Sequence, residues 1–209
     1  TAKSWINLSN NFTPLSDGGF LWWSEKTGHG HLYHVKAGKW TALTAGDWEV
    51  RDIVGVDEAR GRVYFTANRD TPLEQQLYAG SLAKGGPLTQ LTKSGWWNDA
   101  VMDKAATRIV VARSNTDQPR QLYLADNSGK QLQWLSENAL TGDHPYAPYV
   151  ASHVKTQFGT IRAKDGSTLY TKMLTPAMEP GKRYPVFMIH YGGPGAGRQV
   201  TNQWGGALN

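Results

Sequence analysis

The chain has 209 residues, 39% of them apolar, enough for one large or two smaller domains with a sizeable core. Its formal charge of +5 comes from basic residues scattered singly, without a long basic run, which argues against nucleic-acid partners and against a membrane-binding patch. Cysteine is absent, removing disulfides, thiolate metal sites and a cysteine nucleophile together, and no stretch approaches the roughly 18 apolar residues of a membrane span.

Helix-favouring runs are scarce. Gly (23), Trp (9) and Tyr (9) are abundant, and short apolar stretches alternate with Asp, Asn and Gly turns, so the body is expected to be mainly β. The start of the chain has no charged segment followed by an apolar one, which leaves export open for a chain that could be internal to a longer one. Two N-x-[ST] sequons, at Asn7 and Asn11, matter only in a eukaryotic secretory setting.

In chain order, a β-rich run over residues 20–24 precedes Leu32-Tyr33, and a short strand ending in Leu43-Thr44 follows. The same series returns with residues 63–66, Leu77-Tyr78 and Leu91-Thr92, and again with residues 109–112, Leu122-Tyr123 and Leu135-Ser136. The three Leu-Tyr pairs are each 45 residues apart. A period of about 40 to 50 residues with roughly four strands per unit is the mark of a β-propeller blade. Turns at residues 57–61 and 126–130, each with an Asp and a Gly, fit the reversals between antiparallel strands. Trp48 and Trp96-Trp97 are expected to begin innermost strands and pack between blades. Three repeats are fewer than the roughly four to eight blades of a closed ring, so the body is expected to be truncated and its outer sheet faces to favour self-association.

From Leu140 the repeat fails, and residues 141–149 are broken by proline. Strands are expected over residues 156–162 and 169–174, joined by a tight turn at 163–167. A Pro-rich loop then leads into a buried strand over residues 184–191. That strand runs into Gly192-Gly193-Pro194-Gly195, the kind of turn in which an α/β-hydrolase places part of its oxyanion hole. No G-x-S-x-G occurs anywhere in the sequence. The expected fold is therefore a partial β-propeller of about three four-stranded blades followed by the first strands of an α/β-hydrolase domain. Residues 1–140 are assigned to the propeller, 141–155 to a linker and 156–209 to the N-terminal part of the hydrolase domain.

On these stretches the chain resembles a bacterial dipeptidyl peptidase IV-like member of the prolyl oligopeptidase family. The resemblance rests on Trp22-Trp23-Ser24-Glu25-Lys26 leading to His31-Leu32-Tyr33, and on Tyr64-Phe65-Thr66-Ala67-Asn68 with Pro72-Leu73-Glu74 leading to Leu77-Tyr78. It rests also on Tyr184-Pro185-Val186 with Tyr191-Gly192-Gly193-Pro194. It implies a serine-type dipeptidyl aminopeptidase, without a cofactor, that cleaves Xaa-Pro or Xaa-Ala dipeptides from peptide N-termini. Tyr191 would donate its hydroxyl to the oxyanion, a contribution of about 3 to 4 kcal/mol per donor, while Gly192 and Gly193 shape the turn that aims it. The nucleophile, acid and base would lie outside these residues, so the fragment alone is expected to be inactive. The paired glutamates with which such enzymes hold the substrate amine are absent, since no Glu-Glu occurs. The resemblance further implies a homodimeric parent in the periplasm or outside the cell, with a cytoplasmic location as the alternative. Rival readings are an acylaminoacyl peptidase or oligopeptidase of the same family, and a non-catalytic propeller that binds partners.

Other polar groups are read as structural. His190 neighbours Tyr191, so on a strand it points the other way, toward the hydrolase core or a helix. His29 and His31 would share a strand face with His34 opposite, and without a carboxylate at ligand spacing no metal site is expected; polar blade-edge histidines are the better reading.

Overall fold

The computed structural model describes residues 9–190 and 199–205. Its body is three four-stranded antiparallel sheets, each a simple meander in chain order. Sheet 1 holds β1 (Phe12–Pro14), β2 (Phe20–Ser24), β3 (His31–Lys36) and β4 (Lys39–Ala42). Sheet 2 holds β5 (Val50–Asp57), β6 (Arg62–Ala67), β7 (Gln76–Ser81) and β8 (Thr89–Gln90). Sheet 3 holds β9 (Trp97–Met102), β10 (Arg108–Asn115), β11 (Gln118–Asp126) and β12 (Gln131–Ser136). A one-turn helix, α1 (Ala147–Val150), precedes a separate hairpin of β13 (Thr156–Arg162) and β14 (Thr168–Leu174).

The Leu-Tyr repeat has a physical explanation. Neighbouring strand residues face opposite sides of a sheet, so each pair sends its Leu one way and its Tyr the other. Leu32 of sheet 1 and Tyr78 of sheet 2 join one apolar core with Leu21, Val63 and Phe65, while Leu77 of sheet 2 and Tyr123 of sheet 3 join a second with Ile109 and Val111. Sheet 2 is thus buried on both faces, as the burial of β6 and β7 shows. The Leu-Thr endings are explained too. The backbone N–H of Leu32 donates to Thr44 Oγ1 at 3.0 Å, and that of Leu77 to Thr92 Oγ1 at 2.9 Å. Leu43 and Leu91 then donate backbone N–H groups to the carbonyls of Leu32 and Leu77, at 2.9 and 2.8 Å. A small hydroxyl thus continues the ladder after the outer strand has ended.

Turn chemistry follows the sequence expectation. Gly61 and Gly129 take positive φ values of 61° and 86°, and Asp57 and Asp126 accept backbone N–H groups within their own turns. Trp97 opens β9 and is buried, as expected. Trp48 instead lies two residues before β5, its ring edge-on to His31 at 4.9 Å.

Two further expectations need correction. Residues 184–190 carry no strand, and Val186, Phe187 and Met188 are 86%, 89% and 78% exposed. A strand exists only where a second one pairs with it, and no described residue offers these a ladder. His190 is accordingly exposed rather than turned toward a core. The histidine expectation also changes. β3 begins at His31, leaving His29 in an exposed loop, and His31 is not an edge residue but 2% exposed. Its Nδ1 lies 3.1 Å from Thr44 Oγ1 and its Nε2 3.0 Å from the Gly46 carbonyl.

Candidate functional site

Tyr191, Gly192 and Gly193 lie outside the described residues, as does Asn7. The chain is described again from Gln199. It lies against the ends of sheets 2 and 3 where the β6–β7 and β10–β11 connections reverse. The Gln199 side-chain amide donates to the Pro72 carbonyl, the Asn202 N–H to the Leu73 carbonyl at 2.9 Å, and the Trp204 N–H to Ser114 Oγ at 3.2 Å. The Trp204 ring stacks on His153 with centroids 5.1 Å apart and meets Tyr146 edge-on at 5.8 Å. Tyr146 and His153 are hydrogen bonded through Oη and Nε2. Residues 199–205 are thus fastened to both sheets and to the stretch around α1.

Polar side chains crowd this end of the sheets. Gln75 Nε2 donates to the Asn98 carbonyl at 2.9 Å and to Asp99 Oδ1 at 3.0 Å, while Asn98 Nδ2 donates back to the Gln75 carbonyl at 2.9 Å. Gln75 and Asn98 are almost wholly buried. These bonds satisfy their side-chain N–H groups and join sheet 2 to sheet 3, while the amide oxygens Gln75 Oε1 and Asn98 Oδ1 are buried without a protein hydrogen-bond partner among the described residues. Arg51 lies over the Trp97 ring at 5.3 Å. Nearby Glu49 is pushed above the usual carboxylate range by burial, against the opposing pull of Arg51. The Arg113 guanidinium lies over Trp96 at 4.1 Å and near Trp134 and Tyr123 at 5.2 and 5.5 Å. Burial lowers its pKa.

Asn11 is occupied by the fold. Its side-chain N–H₂ donates to the Arg51 carbonyl, and its Oδ1 accepts the Ile53 N–H at 2.9 Å, bridging the register shift in β5. That use of the amide leaves it unsuited to carrying a glycan. Among the described residues no three His, Cys, Asp or Glu side chains form a metal-binding group. Sequence reasoning missed Arg113, Ser114 and Trp204. The only signal was a lone Trp soon after the glycine-rich run, since nothing local announces which blade end it meets.

A family described as the dipeptidyl peptidase IV (DPP IV) N-terminal region matches residues 1–120. A probable dipeptidyl peptidase 4 of Aspergillus flavus is 31% identical over 87% of the chain and 24% of its own length. Mouse dipeptidyl peptidase 8 is 28% identical over 93% of the chain and 26% of its own length. The crystal structure of Porphyromonas gingivalis dipeptidyl peptidase 4 superposes with a TM-score of 0.80 at 25% identity, covering 93% of this chain and 27% of that one. The chain thus spans about a quarter of the length of the relatives it matches. Its repeated meanders, the buried Leu-Tyr faces between them and the family match over most of the body make it a member of the dipeptidyl peptidase IV N-terminal region family.

Proposed function

We propose that this chain is part of a serine-type dipeptidyl aminopeptidase that removes Xaa-Pro or Xaa-Ala dipeptides from peptide N-termini. The supporting observation is the reach of the likeness: relatives named dipeptidyl peptidases match across 84% to 93% of the chain, on both sides of residue 140. Under this reading residues 1–140 are propeller, 141–155 a linker and 156–209 the beginning of an α/β-hydrolase domain. The propeller would limit access to short or unfolded chains.

Attack on the scissile carbonyl turns its oxygen into an anion. Tyr191 stabilises that anion by donating its hydroxyl, and Gly192 and Gly193 let the chain turn so that the side chain faces the substrate. A backbone N–H beside the nucleophile is the second donor. The serine, acid and histidine belong to the rest of the protein, since no G-x-S-x-G lies in these residues. The whole protein is a homodimer in the periplasm or outside the cell. No helix among the described residues is long and apolar enough to cross a membrane.

The deciding experiment compares a free-amine Xaa-Pro chromogenic substrate with its acetylated counterpart, using the full-length protein. Cleavage of the free amine alone is expected. Cleavage of the acetylated substrate moves the assignment to an acylaminoacyl or endo-acting peptidase. Failure to cleave either, without fluorophosphonate labelling, leaves a binding propeller.

A further inference from the structure

Three aromatic rings meet where residues 199–205 cross the stretch around α1. The His153 ring lies on the Trp204 indole, with centroids 5.1 Å apart and planes 27° apart, and Tyr146 meets the two rings edge-on at 5.0 and 5.8 Å. Tyr146 Oη and His153 Nε2 are hydrogen bonded. His153 is only partly buried, so protons from solvent reach a ring held against an aromatic face.

Imidazole is the side chain that changes charge between about pH 5 and 8. A neutral ring offers Trp204 only the stacking of two uncharged systems. A protonated ring lays a cation on the indole face, within the roughly 6 Å over which the ring quadrupole attracts it. The bond to Tyr146 survives the change, because neutral Nε2 can accept from the phenol and protonated Nε2–H donates to the phenol oxygen as a charge-assisted bond. Both contacts therefore strengthen with the proton.

The neighbouring groups leave this sense intact. Residues 199–205 carry no acidic or basic side chain, and no ion pair among the described residues includes His153. On the side of sheet 3, Asp99 and Arg120, of opposite charge, line the space that Trp204 walls. On the α1 stretch, Asp143 and Lys155 are exposed and also opposite in charge, and Tyr149 lies 5.7 Å from Tyr146. His144 acts the other way. Its Nδ1 accepts the Tyr146 N–H at 3.0 Å while its Nε2 meets Asn138 Oδ1 at 2.9 Å, so protonating it removes an acceptor and loosens Tyr146.

We propose that Tyr146, His153 and Trp204 form a proton-sensitive clasp, which holds residues 199–205 against the ends of sheets 2 and 3 more tightly when His153 is charged. The inference stands apart from the peptidase reading, and its test needs no turnover.

The Asn202 and Trp204 amides report the hold, since they donate to the Leu73 carbonyl and to Ser114 Oγ. Their hydrogen-exchange protection factors, corrected for the intrinsic pH dependence of exchange, are measured in the 209-residue chain at about pH 5.5 and about pH 8. The buried β6 amides serve as the reference for global opening. Protection is expected to be about two- to five-fold higher at the acid pH, the size of one exposed cation–π contact. His153→Gln can still bond to Tyr146 but takes no proton, and there the difference is expected to vanish. Trp204→Leu should remove it at the Asn202 amide, and His144→Asn should leave it in place or enlarge it. Equal protection at the two pH values, or a difference that persists in His153→Gln, overturns the clasp. Where exchange is too fast to follow, or a variant's circular dichroism departs from the parent, the Trp204 indole N–H resonance of the parent decides. It should move with pH across this range, and a fixed position overturns the proposal.

Discussion

His31 is the residue whose chemistry the fold controls most tightly. Its Nε2 faces the Gly46 carbonyl, which can only accept, so we assign the ring proton there; the Thr44 hydroxyl then donates to Nδ1. Burial holds the folded pKa below its ordinary value, outweighing the Gly46 hydrogen bond. The unfolded chain therefore takes up the proton first. This stabilisation is complete above the unfolded value of about 6.5 and is lost as pH falls toward the folded one. Urea midpoints at about pH 8 and about pH 5.5 should differ, and the difference should shrink in His31→Gln; an equal slope in the variant would sink the assignment. A second residue-scale strain lies in the β3–β4 hairpin, where Ala37 (φ 48°) and Gly38 (φ 75°) both take left-handed conformations. That two-residue turn favours Asn at its first position, and Ala37 is exposed. Ala37→Asn should stabilise the protein by on the order of 0.5 kcal/mol in chemical denaturation, and a lower midpoint would contradict this.

The sheets form one stack whose middle member does most of the burying. Leu77 is fully buried between sheets 2 and 3, whereas its repeat equivalent Leu122 is half-buried on the far side of sheet 3. Leu77→Ala should cost about 2 to 5 kcal/mol, the range for a buried leucine, and Leu122→Ala about 1. Similar losses from the two in urea unfolding would mean that the outer face of sheet 3 is also a packed interior. The hairpin of β13 and β14 stands apart, with Ile161, Leu169 and Met173 all more than half exposed. An isolated two-stranded hairpin is marginal in water, so its amide protons should exchange faster than those of β6 and β7.

The whole molecule presents apolar surface at both ends of the stack. On sheet 1, Phe12 lies 5.2 Å from Phe20 and 6.1 Å from Trp22, and Tyr33 lies 5.5 Å from Trp40 with the Lys26 ammonium over both rings. On sheet 3, Val101 is 72% exposed, with Val110 beside it. Contiguous surface of this kind marks contact with another protein body. The chain should associate with increasing concentration in analytical ultracentrifugation, and Val101→Lys should weaken this. A strictly monomeric species at high concentration would show that the faces are adequately covered by their own side chains.

By itself the sequence determined the mainly β body, the three repeats, the turn positions and the two faces of each repeated strand. These are local properties, set by a period-two pattern and by glycines that accept positive φ. The tertiary structure alone decided that His31 is buried, that Asn11 is spent bridging β5 and that residues 184–190 stand without a ladder. It alone brought Trp204 to Ser114, 90 residues away in the chain. Strand pairing and the burial of polar groups depend on partners distant in sequence. An apolar run such as Val186-Phe187-Met188-Ile189 records an affinity for a sheet without naming the strand that completes it.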